Sequence, residues 1–162
     1  VATLIGFSKS YQRIVVLECW DIPAYSHDEI IKQCEQKIEW WWVNYMPKFK
    51  KIVIDSAESI LINTWREKNK FKTITVKGAV KFAKGQIDLV TRCQLKQQLL
   101  VQERLIWSSH AVNSYNSHTR ILLDEDGAEL DLSVQDNDRG DSLTYGLTEN
   151  WNYITKQTSR RK

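Results

Sequence analysis

The stretch YQRIVVLECWDIPAYSHDEIIKQCEQKIEWWWVNYMP, Tyr11 to Pro47, decides how this chain is built. Its first ten residues, Tyr11 to Trp20, are β-branched and alternate around Ile14, Val16 and Cys19, which predicts a strand. Asp21-Ile22-Pro23 ends that strand, because proline lacks the ladder N–H and turns the preceding residue away from helix. A helix then begins with clear punctuation. Ser26 stands three residues before Glu29, the capping-box spacing, and Asp28 and Glu29 suit the positive end of a helix dipole. Ile30, Cys34, Ile38, Trp41 and Tyr45 recur at helical spacing as one apolar stripe, flanked by Ile31 and Trp42, and Pro47 stops it. Trp40 falls on the opposite face with Val43, since successive helical residues turn by roughly 100°.

Downstream of Pro47 the pattern reads mainly as β. Lys51–Ile54 and Ser59–Trp65 are expected as short strands. Thr73–Ala83 alternates and is expected to pair, through a turn at Lys84-Gly85, with Ile87, Leu89, Thr91 and Cys93. Gln94–Trp107 fits two patterns: Val101, Glu103, Leu105 and Trp107 alternate, but its Gln, Lys, Leu and Arg content favours helix, which is the expected state. A second hairpin is expected from Arg120–Leu123 and Glu129–Val134 around Asp124–Gly127, then a loop at Asp136–Ser142 and a last strand at Trp151–Thr155. The expected class is α+β, an antiparallel sheet packed against one or two helices. Residues 1–158 are expected to form a single domain, and 159–162 a basic C-terminal tail.

With 162 residues, 42% of them apolar and 27% charged, the chain has the composition of a globular protein with a core rather than a disordered one. No run approaches the roughly 18 apolar residues of a membrane span. Three cysteines are few and odd in number, which speaks against a disulfide scaffold and for a reducing compartment. No motif asks for a cofactor or a metal. There is no Cys-x-x-Cys or His-x-x-x-His pair, the six glycines do not cluster as a phosphate loop, and His27, His110 and His118 stand apart. Ser109-His110 are chain neighbours and so do not face one another as nucleophile and base. Asp136–Asp141 resembles a calcium loop but has Gly140 at the fifth position and Leu147 in place of the closing glutamate. Glu35-Gln36-Lys37 matches the tail of a nuclease pattern, yet an ordinary polar helix face accounts for it. These absences lead to an expectation of no enzyme.

Charge partition is the more informative signal. Between residues 48 and 84 stand Lys48, Lys50, Lys51, Arg66, Lys68, Lys70, Lys72, Lys77, Lys81 and Lys84, opposed by Asp55, Glu58 and Glu67, a local net of +7. Between residues 120 and 155 the balance is −7, from Asp124, Glu125, Asp126, Glu129, Asp131, Asp136, Asp138, Asp141 and Glu149 against Arg120 and Arg139. A basic face would attract nucleoprotein, RNA or an anionic membrane surface. An acidic face on the same molecule would meet the basic face of another copy, and such head-to-tail contacts build rings or open filaments. Lys48, Lys50, Lys51, Arg66, Lys68, Lys70, Lys72, Lys77 and Lys81 are therefore candidates for binding the anionic partner. Trp40, Asp124, Glu125, Asp126, Asp136, Asp138 and Asp141 are candidates for self-association into a homo-oligomer, Trp40 because an outward tryptophan suits an interface.

The order of a strand (RIVVLECW), a proline turn, a Ser-capped aromatic helix, a basic-apolar stretch (KFKKIVIDSAESILI) and hairpins resembles, over Tyr11–Lys84, the organisation of rhabdovirus matrix proteins. The resemblance implies a small non-enzymatic virion protein that self-associates, condenses an RNA–nucleoprotein and lies at the inner face of a membrane or in the host cytoplasm. Two other readings stand beside it. Phe49 and Phe71, set among lysines, with Tyr45 and Trp65 just before the tracts, could stack on single-stranded bases. Alternatively, Trp20, Trp41, Trp65 and Trp107 could line a ligand cavity of a secretion-system or enzyme domain.

Overall fold

The structure is a computed structural model that describes residues 1–45, 47–79, 89–119 and 138–159. The hairpin expected over 120–134, the turn at Lys84-Gly85 and residues 160–162 of the tail lie outside them. Along the chain run β1 (Ala2–Phe7), β2 (Ile14–Trp20), α1 (His27–Tyr45), β3 (Lys51–Ile54), α2 (Ser59–Lys68), β4 (Thr75–Gly78), α3 (Leu89–Val101) and β5 (Leu105–Trp107). A 3-10 turn (Ser109–Ala111), α4 (Val112–Thr119), α5 (Asp138–Thr148) and α6 (Trp151–Ser159) follow. The α+β class holds. Two compact units divide these elements: Asp21–Val80, and Val1–Trp20 joined with Lys81–Lys162.

In the unit built from both chain ends, the sheet runs in the order β1-β2-β5. It is mixed rather than antiparallel: β1 pairs antiparallel with β2, and β2 pairs parallel with β5, Ile14 lying opposite Leu105. Ile14 and Val16 point from β2 into a core with Leu95, Leu99, Leu105, Ala111, Leu143, Leu147 and Ile154. Leu89, Thr91 and Cys93, expected as strand, the described part of the loop at Asp136–Ser142 and the strand at Trp151–Thr155 are helical here, while the helix expected from Gln94 runs as far as Val101, and burial shows why. Leu95, Lys96 and Leu99 on α3 are buried, as are Leu143, Thr144, Leu147 and Thr148 on α5. Both sets repeat at three- and four-residue intervals, the period of one helix face. On α6, Ile154 does the same, so Trp151–Thr155 is helix and not the last strand. Gly146 on α5 lies so close to β1 that a Cβ would run into Ile5 Cδ1, so the strand and helix meet where no side chain intervenes.

In the Asp21–Val80 unit, β3 and β4 pair in parallel, Lys51 opposite Thr75 and Ile54 opposite Gly78. Parallel neighbours need a crossover, and α2 supplies it. Ser59–Trp65, expected as a strand, is therefore helix, and Leu61, Ile62 and Trp65 are its buried face. α1 starts where the capping box places it. The Glu29 N–H donates to Ser26 Oγ at 3.3 Å, and Glu29 Oε2 accepts the Tyr25 N–H at 3.2 Å. The buried face of α1 is Ile31, Cys34, Glu35 and Trp41, a slight rotation from the expected stripe that leaves Tyr45 exposed.

Candidate functional site

The basic tract is less bare than its sequence implies. Lys68 Nζ lies 2.7 Å from Asp28 Oδ1, and Lys70 Nζ lies 2.9 Å from Glu39 Oε1 and 3.3 Å from Glu35 Oε2. The hydrogen bond to Glu39 raises the Lys70 pKa above its ordinary value, although partial desolvation opposes it. Arg66 is exposed but donates from Nε to the Val76 carbonyl at 3.0 Å. Three candidate cations are thus engaged, two of them by acids of α1 that lie far from the tract in sequence. Lys48, Lys50, Lys51 and Lys72 are exposed and Lys77 is half-buried on β4, whereas Lys81 lies outside the described residues.

Aromatic rings gather beside the exposed lysines. Trp42 packs on Phe49 with ring centroids 6.4 Å apart and on Phe71 at 6.0 Å, the latter stacked at 29°. Lys70 Nζ sits 5.2 Å from the Phe71 centroid. Trp40 faces outward as expected, 46% exposed, against Trp41 and Tyr45. Of the tryptophans considered for a cavity, Trp41 and Trp65 are buried in their unit's core, and Trp107 lines an open apolar groove of about 410 Å³ with Ile106, Val112 and Tyr115.

The acidic candidates for self-association divide differently. Asp124, Glu125, Asp126 and Asp136 lie outside the described residues, while Asp138 opens α5 and Asp141 follows on its first turn, where a loop was expected. Asp141 is partly buried, and its charge acts on Lys96, a buried lysine of α3 whose Nζ donates to Thr144 Oγ1 at 3.3 Å. Burial lowers the Lys96 pKa, against the opposing pull of Cys93 and Asp141. Glu35, from the Glu-x-Lys match, is a buried helix residue paired with Lys70, so it joins the packing of α1 rather than a cleft.

Sequence reasoning passed over one carboxylate. Asp55 is the first residue after β3, at the carboxyl end of a parallel pair, and its Oδ1 accepts the Ala57 N–H at 2.9 Å. Ligands of α/β sheets sit outside the carboxyl ends of parallel strands. The signal in the sequence was an acid closing an apolar run, KIVI-Asp55, where Asp55 was counted only as a charge against the lysines. Among the described residues no three His, Cys, Asp or Glu side chains gather so as to hold a metal ion.

No known protein family matches the chain, and no curated protein matches its sequence. Its fold is one seen in a nuclease domain. The solved structure is that of the nuclease domain of g2p, the large terminase of bacteriophage SPP1, with bound Mn. The likeness covers 91% of this chain and 77% of that one, at a TM-score of 0.58 and 15% identity, so it is a likeness of fold. It corrects the expectation of a non-enzymatic, matrix-type structural protein, because the structure that shares this fold is an enzyme domain.

Proposed function

We propose that this chain is a nuclease-type domain that cleaves phosphodiester bonds of nucleic acid. The observation that carries the reading is the fold likeness to a nuclease domain over 91% of the chain. Asp55 supports it locally, as a half-buried carboxylate at the carboxyl end of β3, where it is placed to accept a proton from an attacking water. Incubation with supercoiled plasmid, single-stranded DNA and single-stranded RNA, in Mn(II), in Mg(II) and in chelator, tests the proposal. Cleavage is expected to fall by about 10²-fold or more in Asp55→Asn, the scale of a lost general base, with circular dichroism unchanged. Absence of cleavage of all three substrates under all three conditions overturns it.

A further inference from the structure

Lys48-Phe49-Lys50 and Lys70-Phe71-Lys72 are the same tripeptide twice. Folding brings both phenylalanines onto one tryptophan, since Phe49 and Phe71 each pack against Trp42. A core cluster would be buried, but Trp42 is 43% exposed and belongs to neither the buried face of α1 nor any other set of buried residues. The three rings therefore form a surface platform. Four lysines flank its two phenylalanines in sequence. Lys70 is held over Phe71 by Glu39 and Glu35, while Lys48, Lys50 and Lys72 are exposed to solvent.

We propose that the Trp42–Phe49–Phe71 platform docks a single strand of nucleic acid, with bases stacked on the rings and phosphates against Lys48, Lys50 and Lys72. The class of partner rests on the nuclease reading above; the geometry is its own support. Aromatic faces stack on any unpaired base, whereas a duplex keeps its base faces stacked within itself. Each phenylalanine has a lysine on either side in sequence, the interleaving that suits a strand of alternating base and phosphate. The rings lie against one another rather than projecting as separate apolar wedges, and Glu35 and Glu39 stand beside Lys70, which suits a strand better than an anionic bilayer.

Fluorescence anisotropy of a labelled oligothymidylate, in chelator so that cleavage cannot interfere, reads the platform directly. The whole chain should bind the single strand more tightly than a duplex of the same length. Trp42→Ala should weaken binding by about tenfold or more, the scale of one lost base stack. Phe71→Leu, which keeps apolar bulk, guards against a folding artefact and should also weaken it. Lys48→Gln with Lys72→Gln should lower the slope of log affinity on log salt by about 1.4, two phosphates' worth for a single strand. Wild-type affinity in both Trp42→Ala and Phe71→Leu overturns the proposal, even if the protein cleaves DNA. Trp42-dependent binding to phosphatidylserine vesicles in preference to the oligonucleotide also overturns it. Trp42-dependent binding to the strand without cleavage of any substrate upholds the platform and removes the nuclease reading.

Discussion

Lys96 on α3 and Thr144 on α5 are both buried and are joined by a 3.3 Å hydrogen bond from the lysine ammonium. Burial holds the Lys96 pKa below 10.5 despite the nearby charge of Asp141. The unfolded chain then binds more protons at this site than the folded one, in the window between the folded pKa and 10.5. Stability contributed by the site therefore rises with pH across that window. Relative to Lys96→Met, the wild-type urea midpoint is expected to improve as pH climbs from neutrality toward 10.5. Parallel curves for the two proteins would show that Lys96 does not titrate this way.

Arg104 is 2% exposed and closes three loose backbone ends. Its Nη2 donates to the carbonyls of Tyr11 at 3.0 Å and Ile154 at 3.3 Å, and its Nε to that of Gln12 at 3.1 Å. Arg104→Ala strands those acceptors and leaves a void, at an expected cost of about 3 kcal/mol. Arg104→Lys keeps the charge but not the fork, and should cost about half as much. Urea denaturation of the three proteins checks the order, and equal losses would contradict it.

Lys68 and Lys70 make ion pairs of similar length with different expected worth. Lys68 meets an exposed aspartate, so Lys68→Met should change stability by no more than about 0.5 kcal/mol. Lys70 also meets Glu35, which is 8% exposed and whose Oε1 has no partner. Removing Lys70 leaves that carboxylate unpaired, and Lys70→Met should cost about 1–2 kcal/mol. Thermal melts of the two variants, with Lys70→Met plus Glu35→Gln as the recovery arm, decide it. A Lys70→Met no worse than Lys68→Met would refute the distinction.

The three cysteines should separate by reactivity. Burial pushes the Cys34 thiol up to about 12, so almost no thiolate is present at neutral pH. Cys19 is buried as well, and Cys93 on α3 is half-buried. Timed alkylation of the native protein followed by mass spectrometry is expected to label Cys93 first and Cys34 last. Early labelling of Cys34 would mean that α1 opens readily.

What the sequence makes legible is what is decided locally. β2, the proline break and the start of α1 depend on neighbours within a few residues, and Pro23, Ser26 and Glu29 identify them. α2, α6 and the Leu89–Cys93 start of α3 read as strand because short apolar runs fit both periods. Ser59–Trp65 becomes helix only because β3 and β4 pair in parallel, a long-range fact. β1 was passed over, since its Thr3 and Gly6 leave little alternation to notice. The charge ledger is incomplete for the same reason at larger scale: Asp28, Glu35 and Glu39 precede the lysine tract, yet folding brings them to Lys68 and Lys70. Both Lys-Phe-Lys tripeptides are visible in the sequence, whereas their meeting at Trp42 is not.

The parallel pairing of β2 with β5 joins Ile14 to Leu105, and the whole Asp21–Val80 unit is threaded between them. On a ribosome, β2 leaves the tunnel long before its partner is translated. At about 5–20 residues per second the wait lasts several seconds, ample for Asp21–Val80 to collapse first. Until then β2 has β1 along one side only, and its other side is an open edge of apolar residues. Birth order, more than final stability, is where this architecture is vulnerable.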